Sequence, residues 1–438
     1  MRYYVFGFLF LTVAAGASFF VLTKNNNIEI ITDIVDFTGK VNSSSTVNNT
    51  NNESVVKNID IENQKPLSNP PETIKAIYLT GWSAGSSKKI DYLVNLAKET
   101  EINAVVIDIK DYSGYIAYDI DNEEIEKYKA KKIMIPKINA LIKKLHDEGI
   151  YVIARITVFQ DPVLAKARPD LAIHSKAKCQ VSGVKCQVSP STLWLDNKKL
   201  AWIDPAAEEA WNYNITIAKD AASRGFDEIN FDYIRFASDG DLKDMIFPST
   251  QIDTDKTQIN TDNNYNSVAL RRKVIKSFFK YLREQLPNIK ISADLFGLVT
   301  VNKDDMGIGQ IIEDAYEYFD YVSPMVYPSH YAKGFIGYQN PAKYPYEVIK
   351  YSMDSALSRL TTHNLRLTTA TSTTISTTTS SLVKLRPWLQ DFNLGAKYDA
   401  KMVKEQIQAV YDAASSTPEL ANGWMLWNPA NNYTRDAL

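Results

Sequence analysis

Gly225-Phe-Asp-Glu-Ile-Asn-Phe-Asp-Tyr-Ile-Arg-Phe236 is the stretch on which the fold of this chain turns. Ile229, Phe231 and Tyr233 alternate with Glu228, Asn230 and Asp232, the period of a β-strand. One face of that strand carries Glu, Asn and Asp within a run that otherwise reads as core. Carboxylates are rarely buried unless they are paired or functional. The plain alternative is a salt-bridged strand end, with Arg235 or Arg155 as partner of Asp232.

Outward from this strand, apolar runs alternate with amphipathic segments of 3.6-residue period, as in an α/β fold with a parallel sheet. Strands are expected at 75–81, 104–110, 151–159, 228–236, 290–297, 321–327, 385–392 and 423–428. Helices are expected at 90–99, 133–148, 206–224, 267–286, 309–319, 345–359 and 400–414. This order predicts a (β/α)8 TIM barrel. No G-x-G-x-x-G follows the first strand, which disfavours a dinucleotide-binding doubly wound sheet. Three insertions interrupt the repeat: 172–200, 238–265 and the Thr/Ser-rich 361–381. The second follows a strand and is expected to rim the active-site face; the third precedes a strand and is expected on the opposite face.

Ahead of the barrel the character changes. Tyr3 to Leu22 carry no charge, long enough to span a bilayer as a helix, and Arg2 precedes them. Residues 1–23 therefore read as a transmembrane anchor or signal segment; Ala15-Gly-Ala17 resembles a cleavage site, but the apolar run continues past it. The Asn/Ser-rich 24–72 reads as a disordered linker, and 73–438 as the barrel domain. The expected location is the cell membrane with the folded domain outside the cytoplasm, or secretion if the segment is cleaved. There, Cys179 and Cys186 are expected to close a small disulfide loop. A net charge of −2 gives no footing for nucleic acid, and 4 His and 2 Cys make a His/Cys metal site improbable. No cofactor is called for.

In such barrels the catalytic groups come from the C-terminal ends of several strands. Here those ends supply the carboxylates Asp108, Asp232, Asp294 and Asp391, and the aromatics Trp82, Tyr112, Tyr233, Tyr327, Trp388 and Trp427. Lys110, Arg155 and Arg235 lie among them, and His330 follows Tyr327 closely. Glycoside hydrolysis uses two carboxyl groups about the scissile bond, and flat aromatic faces cover sugar rings. Asp232 and Asp294 are the expected catalytic pair, since consecutive strands about 4.8 Å apart suit the roughly 5 Å separation of a retaining pair. Trp82, Asp108, Lys110, Arg155, Tyr233, Arg235, Tyr327, Trp388, Asp391 and Trp427 are the expected substrate contacts.

The blocks Tyr78-Leu-Thr-Gly-Trp-Ser83, Val106-Ile-Asp-Ile-Lys-Asp111, Phe231-Asp-Tyr-Ile-Arg-Phe236, Ser323-Pro-Met-Val-Tyr-Pro328 and Gly423-Trp-Met-Leu-Trp-Asn-Pro429 together resemble a poorly characterised bacterial family of glycoside hydrolase barrels, allied to the α-amylase-like glycosidases. The resemblance covers about residues 74 to 438 and implies a (β/α)8 barrel acting on carbohydrate. In amylase-type barrels the nucleophile ends strand 4 and the acid/base ends strand 5, positions held here by Asp232 and Asp294. The chain departs from that pattern in having Asp where the acid is usually Glu, and Ala237 where Pro usually follows Tyr-Ile-Arg-Phe. Chitinase-type barrels share the Met-Val-Tyr end of strand 6, but their D-x-x-D-x-D-x-E strand is absent. The alternative to an enzyme is a non-catalytic carbohydrate-binding barrel at the cell surface, using the same aromatics and the Asp residues only as hydroxyl acceptors.

Overall fold

The computed structural model describes residues 60–179, 188–248, 268–370 and 382–438. The predicted segment 1–23 and most of the predicted linker, up to residue 59, lie outside the described residues, as does Cys186. Cys179 is disulfide-bonded. Among the described residues, no helix is long and apolar enough to cross a membrane.

All eight predicted barrel strands form: β1 (Ile74–Leu79), β2 (Ala104–Lys110), β3 (Tyr151–Thr157), β4 (Glu228–Asp232), β5 (Ile291–Phe296), β6 (Tyr321–Met325), β7 (Trp388–Gln390, preceded by Lys384–Leu385) and β8 (Gly423–Trp427). They are parallel and closed, with Ile74 of β1 opposite Gly423 of β8. Pro387 has no N–H and splits β7 into two short pieces; the flanking Arg386 N–H still bonds Val322 O at 3.0 Å. β2 and β3 are buried along their whole length because both faces are covered, which explains their nearly continuous apolar sequence.

The two faces of the strands part company. Ile77, Leu79, Val105, Ile107, Val152 and Ala154 point outward to the helical layer. Ala76, Tyr78, Ala104, Val106, Ile153 and Met425 form a smaller cluster, with Tyr327 and Trp388 among its members, filling the barrel. The helical layer is α1 (Ser87–Glu99), α2 (Ile138–Asp147), α3 (Glu208–Ser223), α4 (Val268–Gln285), α5 (Ile312–Tyr316), α6 (Pro345–Ala370) and α7 (Ala400–Ala414). In α1, Ile90, Leu93, Val94 and Leu96 recur at helical spacing and bury one face, each contributing about 1.5–3 kcal/mol.

Three departures from the expected boundaries have physical causes. β4 stops at Asp232 because Tyr233 adopts a left-handed φ of 53°, turning Ile234-Arg235-Phe236 out of the sheet. α6 runs on to Ala370, so the first half of the supposed 361–381 insertion is helix. Residues 60–72, expected as linker, are instead fastened beneath the barrel. Asp60 accepts from the Asn139 N–H at 2.7 Å, Leu67 donates its N–H to Asp227 Oδ1 at 2.6 Å, and the Leu67 side chain packs against the barrel-interior cluster. Gly225 makes this possible: a Cβ there would stand 2.7 Å from Gln64 O, and its φ is 103°.

At the opposite end, the first two insertions join. His174–Ser175 pairs antiparallel with Met245–Ile246, and Trp194 Nε1 donates to Asp241 O at 2.9 Å. Both segments follow barrel strands, so they build one wall of the C-terminal mouth.

Candidate active site

Interior parity along the strands dictates what meets at that mouth. Tyr78 (β1), Asp108 (β2), Arg155 (β3), Asn230 and Asp232 (β4), Asp294 (β5) and Trp388 (β7) all project inward, near the C-terminal ends of their strands. Arg155 is the hub. Its Nη1 donates to Asp108 Oδ1 at 2.5 Å, its Nη2 pairs with Asp232 Oδ2, and its Nε lies 3.5 Å from Asp294 Oδ2. Arg155 thus answers the alternative of a paired Asp232, and Arg235 does not.

One guanidinium facing three carboxylates leaves excess negative charge in a site where Asp108, Asp232 and Asp294 are 3%, 5% and 1% exposed. Burial and mutual repulsion favour protonation under those conditions. Burial, followed by the charge of Asp232, pushes the Asp294 carboxyl up to about 7. Burial likewise raises Asp108 to about 6, against the opposing pull of Arg155. The two oxygens of Asp294 are not equivalent. Oδ1 accepts from Asn230 Nδ2 and Trp388 Nε1, both at 2.8 Å, which leaves Oδ2 as the oxygen with room to carry a proton. Asp232 Oδ1 accepts the Tyr233 N–H at 2.6 Å, fixing its carboxylate plane.

Aromatic groups close over this centre. Trp427 stacks on Tyr78 with ring centroids 3.7 Å apart, Trp388 meets Trp427 edge-on at 5.6 Å, and the Arg155 guanidinium lies 5.1 Å from the Trp427 ring. Tyr327 is buried beside them; burial and then the charges of Asp294 and Asp232 drive its hydroxyl far above the usual phenol range. His330 packs edge-on against Tyr327 at 5.1 Å, and burial lowers it to about 4.

Other expected contacts fall elsewhere. Lys110 follows a register shift between Asp108 and Lys110, which turns it outward beneath α3. There it is fully buried, 2.8 Å from Asp161 Oδ2 and 3.2 Å from Asn214 Oδ1. Asp391 accepts from Thr434 N–H and Oγ1 at 2.8 and 2.6 Å, tying down the C-terminal segment. Trp82 stands at the mouth, 58% exposed, with the Lys132 amine 5.2 Å from its ring. Tyr233 and Arg235 lie on the wall built by the insertions, against Trp202. Tyr78 and Asn230 were missed as site residues. Their signal was parity: Tyr78 shares a face with Ile74 and Ala76, as Asn230 does with Asp232.

With the carboxylates grouped at the mouth of a closed barrel, comparison with known proteins becomes informative. The model of the family described as "putative glycosyl hydrolase domain" matches residues 76–433. The chain belongs to this family. A hypothetical protein from Ruminiclostridium thermocellum is 37% identical over 50% of this chain and 96% of its own, with a TM-score of 0.40. The glycoside hydrolase domain of PgaB (BpsB) from Bordetella bronchiseptica shares the fold at 13% identity and a TM-score of 0.52, covering 84% of this chain and 98% of its own. A chitinase from Chromobacterium violaceum is 10% identical, covering 83% of this chain and 96% of its own, with a TM-score of 0.41. A search of curated proteins finds no match.

Proposed function

We propose that this member of the family hydrolyses glycosidic bonds of a poly- or oligosaccharide by a two-carboxylate mechanism, with Asp294 as general acid/base and Asp232 as nucleophile. The observation that carries the reading is the asymmetry of this pair. Asp294 is held up to about 7 by burial and by Asp232, whereas Asp232 is held in an ion pair by Arg155. Two carboxylates in reach of a single guanidinium suit the short separation of a retaining pair, about 5 Å, better than the roughly 6.5–9.5 Å of an inverting one.

In the first step the Asp294 Oδ2 proton passes to the glycosidic oxygen as its bond to the anomeric carbon breaks, and an Asp232 oxygen bonds that carbon. In the second, Asp294 takes a proton from water, whose oxygen displaces Asp232. Asn230 and Trp388 are positioning residues that leave Oδ2 as the donor, and Arg155 orients Asp232. Trp82 and Trp427 serve as ring platforms for the sugar.

The test is a polysaccharide hydrolysis screen with the full chain and its Asp232→Asn variant, reading reducing ends and binding together. Product from the parent, with loss of about 10⁴-fold or more in the variant, is expected. Full activity in a folded variant would sink the assignment. One observation favours the second reading, a carbohydrate-binding barrel: Asp294 is only 1% exposed, so a sugar reaches it only if the aromatic cover moves. Binding by both proteins with product from neither would establish that reading.

The uncharged run Tyr3 to Leu22 supports a membrane tether holding the barrel outside the cytoplasm. Recovery of the full chain in the soluble fraction without loss of its N-terminus would refute the tether.

A further inference from the structure

We infer that the sugar bound beside the catalytic pair carries a carboxylate, as a uronic acid does, and that Arg235 receives it. The inference rests on the glycosidase reading of the site and adds its substrate class. Arg235 is 7% exposed, and among the described residues it makes no ion pair. A buried guanidinium without a carboxylate partner is unusual, since buried charges are ordinarily paired.

Its hydrogen bonds show which edge is free. Nη1 donates to Phe236 O at 2.9 Å and to Ser238 Oγ at 3.2 Å. Nε and Nη2 have no acceptor within the protein among the described residues. Those two N–H groups form the side-on fork that matches the two oxygens of a carboxylate. The plane of the fork is fixed by rings: the guanidinium carbon lies 4.5 Å from the Phe296 centroid, 4.9 Å from Trp202 and 5.3 Å from Tyr233. Phe296 is two residues beyond Asp294, and Tyr233 adjoins Asp232, so the guanidinium is held between chain neighbours of both members of the proposed pair.

The acids nearest to Arg235 do not satisfy it. Asp232 is engaged by Arg155. Asp196 accepts from Trp202 Nε1, Gln160 Nε2 and the N–H groups of Lys198 and Leu200. Asp239 is half-buried and its carboxyl is raised, first by burial and then by Asp196, which reduces its competition for the cation. The three rings bury most of the Arg235 side chain, and a largely buried, oriented guanidinium binds an oxoanion more strongly than an exposed one.

The experiment pairs acidic and neutral polymers of one sugar, polygalacturonate and galactan, with phosphomannan as a phosphate-bearing control. The full chain and its Arg235→Gln and Arg235→Lys variants are assayed for cleavage and for retention in affinity electrophoresis. Preference for polygalacturonate over galactan is expected. The ratio of their kcat/KM values should fall by about tenfold to a hundredfold in Arg235→Gln. Arg235→Lys, which keeps the charge and loses the fork, should recover only part of it. Polygalacturonate retained but not cleaved, with retention lost in Arg235→Gln, supports the carboxylate subsite and overturns the glycosidase reading. Galactan cleaved and polygalacturonate ignored by the parent overturns the inference and leaves the glycosidase reading standing. Preference for phosphomannan alone overturns the carboxylate assignment, and indifference to all three overturns the inference.

Discussion

Two buried arginines occupy the inside of the same barrel, one near its floor and one near its mouth, and β4 supplies a partner to each. At the floor, Arg386 pairs with Glu228, and both side chains are fully buried. At the mouth, Arg155 meets Asp108, Asp232 and Asp294. Glu228 and Asp232 lie four residues apart on one face of one strand. The floor pair balances one positive charge with one negative, so nothing about it calls for a proton in flux. The mouth cluster is out of balance, and the excess is relieved by raising Asp294 and Asp108 toward neutrality. The same residue types therefore yield a balanced ion pair in one place and carboxyls of raised pKa in the other. The deciding quantity is the ratio of carboxylates to guanidinium, set by which strands converge.

Substitutions that treat the two clusters alike should expose the contrast. Asp232→Asn should lower kcat by about 10⁴-fold or more while leaving stability within about 1 kcal/mol, because Arg155 keeps two other carboxylates. Glu228→Gln should do the reverse. It strands Arg386 in the core, costing about 3–5 kcal/mol in urea unfolding, with activity per folded molecule retained. Equal losses of stability in the two variants would mean that the mouth cluster is also structural.

Asp294→Asn should lower kcat by about 10²–10⁴-fold, and it should alter two pH profiles. Activity of the parent should fall as pH rises through about 7, where the acid loses its proton, and the variant should lack that limb. Stability carries the same sign. The folded carboxyl holds its proton up to about 7 and the unfolded one only to about 3.8, so the folded state binds more protons between those values. The contribution is full below about 3.8 and is lost as pH rises through about 7. Urea unfolding of the parent should therefore show stability declining across that window, and the decline should shrink in Asp294→Asn. A parent profile rising with pH there would contradict the protonated acid.

The smallest effect belongs to Trp82. It is 58% exposed and stands outside both clusters. Trp82→Ala should raise KM a few-fold through loss of a stacking face, with stability changed by no more than about 0.5 kcal/mol. An unchanged KM on every active polymer would remove Trp82 from the substrate path.

The eight strands and the seven helices were legible because period-2 and period-3.6 patterning survives in a single sequence. So were Asp108, Arg155, Asp232, Asp294, Trp388 and Trp427, which stand at inward parity on strand ends. Lys110 was misplaced because the register shift after Asp108 reverses its face, and parity counting assumes an unbroken pleat. Arg235 leaves the sheet because Tyr233 takes a positive φ, which the Asp-Tyr-Ile-Arg string does not announce. Segment 60–72 reads as linker by composition, yet its backbone finds partners in Asp227, Asn139 and Arg224.

The sequence by itself determined the barrel and the set of carboxylates at its mouth, since both follow from periodicities carried along one dimension. Only the tertiary structure decided that Arg155 joins three Asp residues while Arg386 serves one Glu. It also decided that burial and the nearby Asp232 raise the Asp294 carboxyl, and that Arg235 is left with two N–H groups lacking a protein acceptor among the described residues. Pairing, burial and charge balance depend on which strands become neighbours and how closely, and those distances are set by closure of the barrel as a whole.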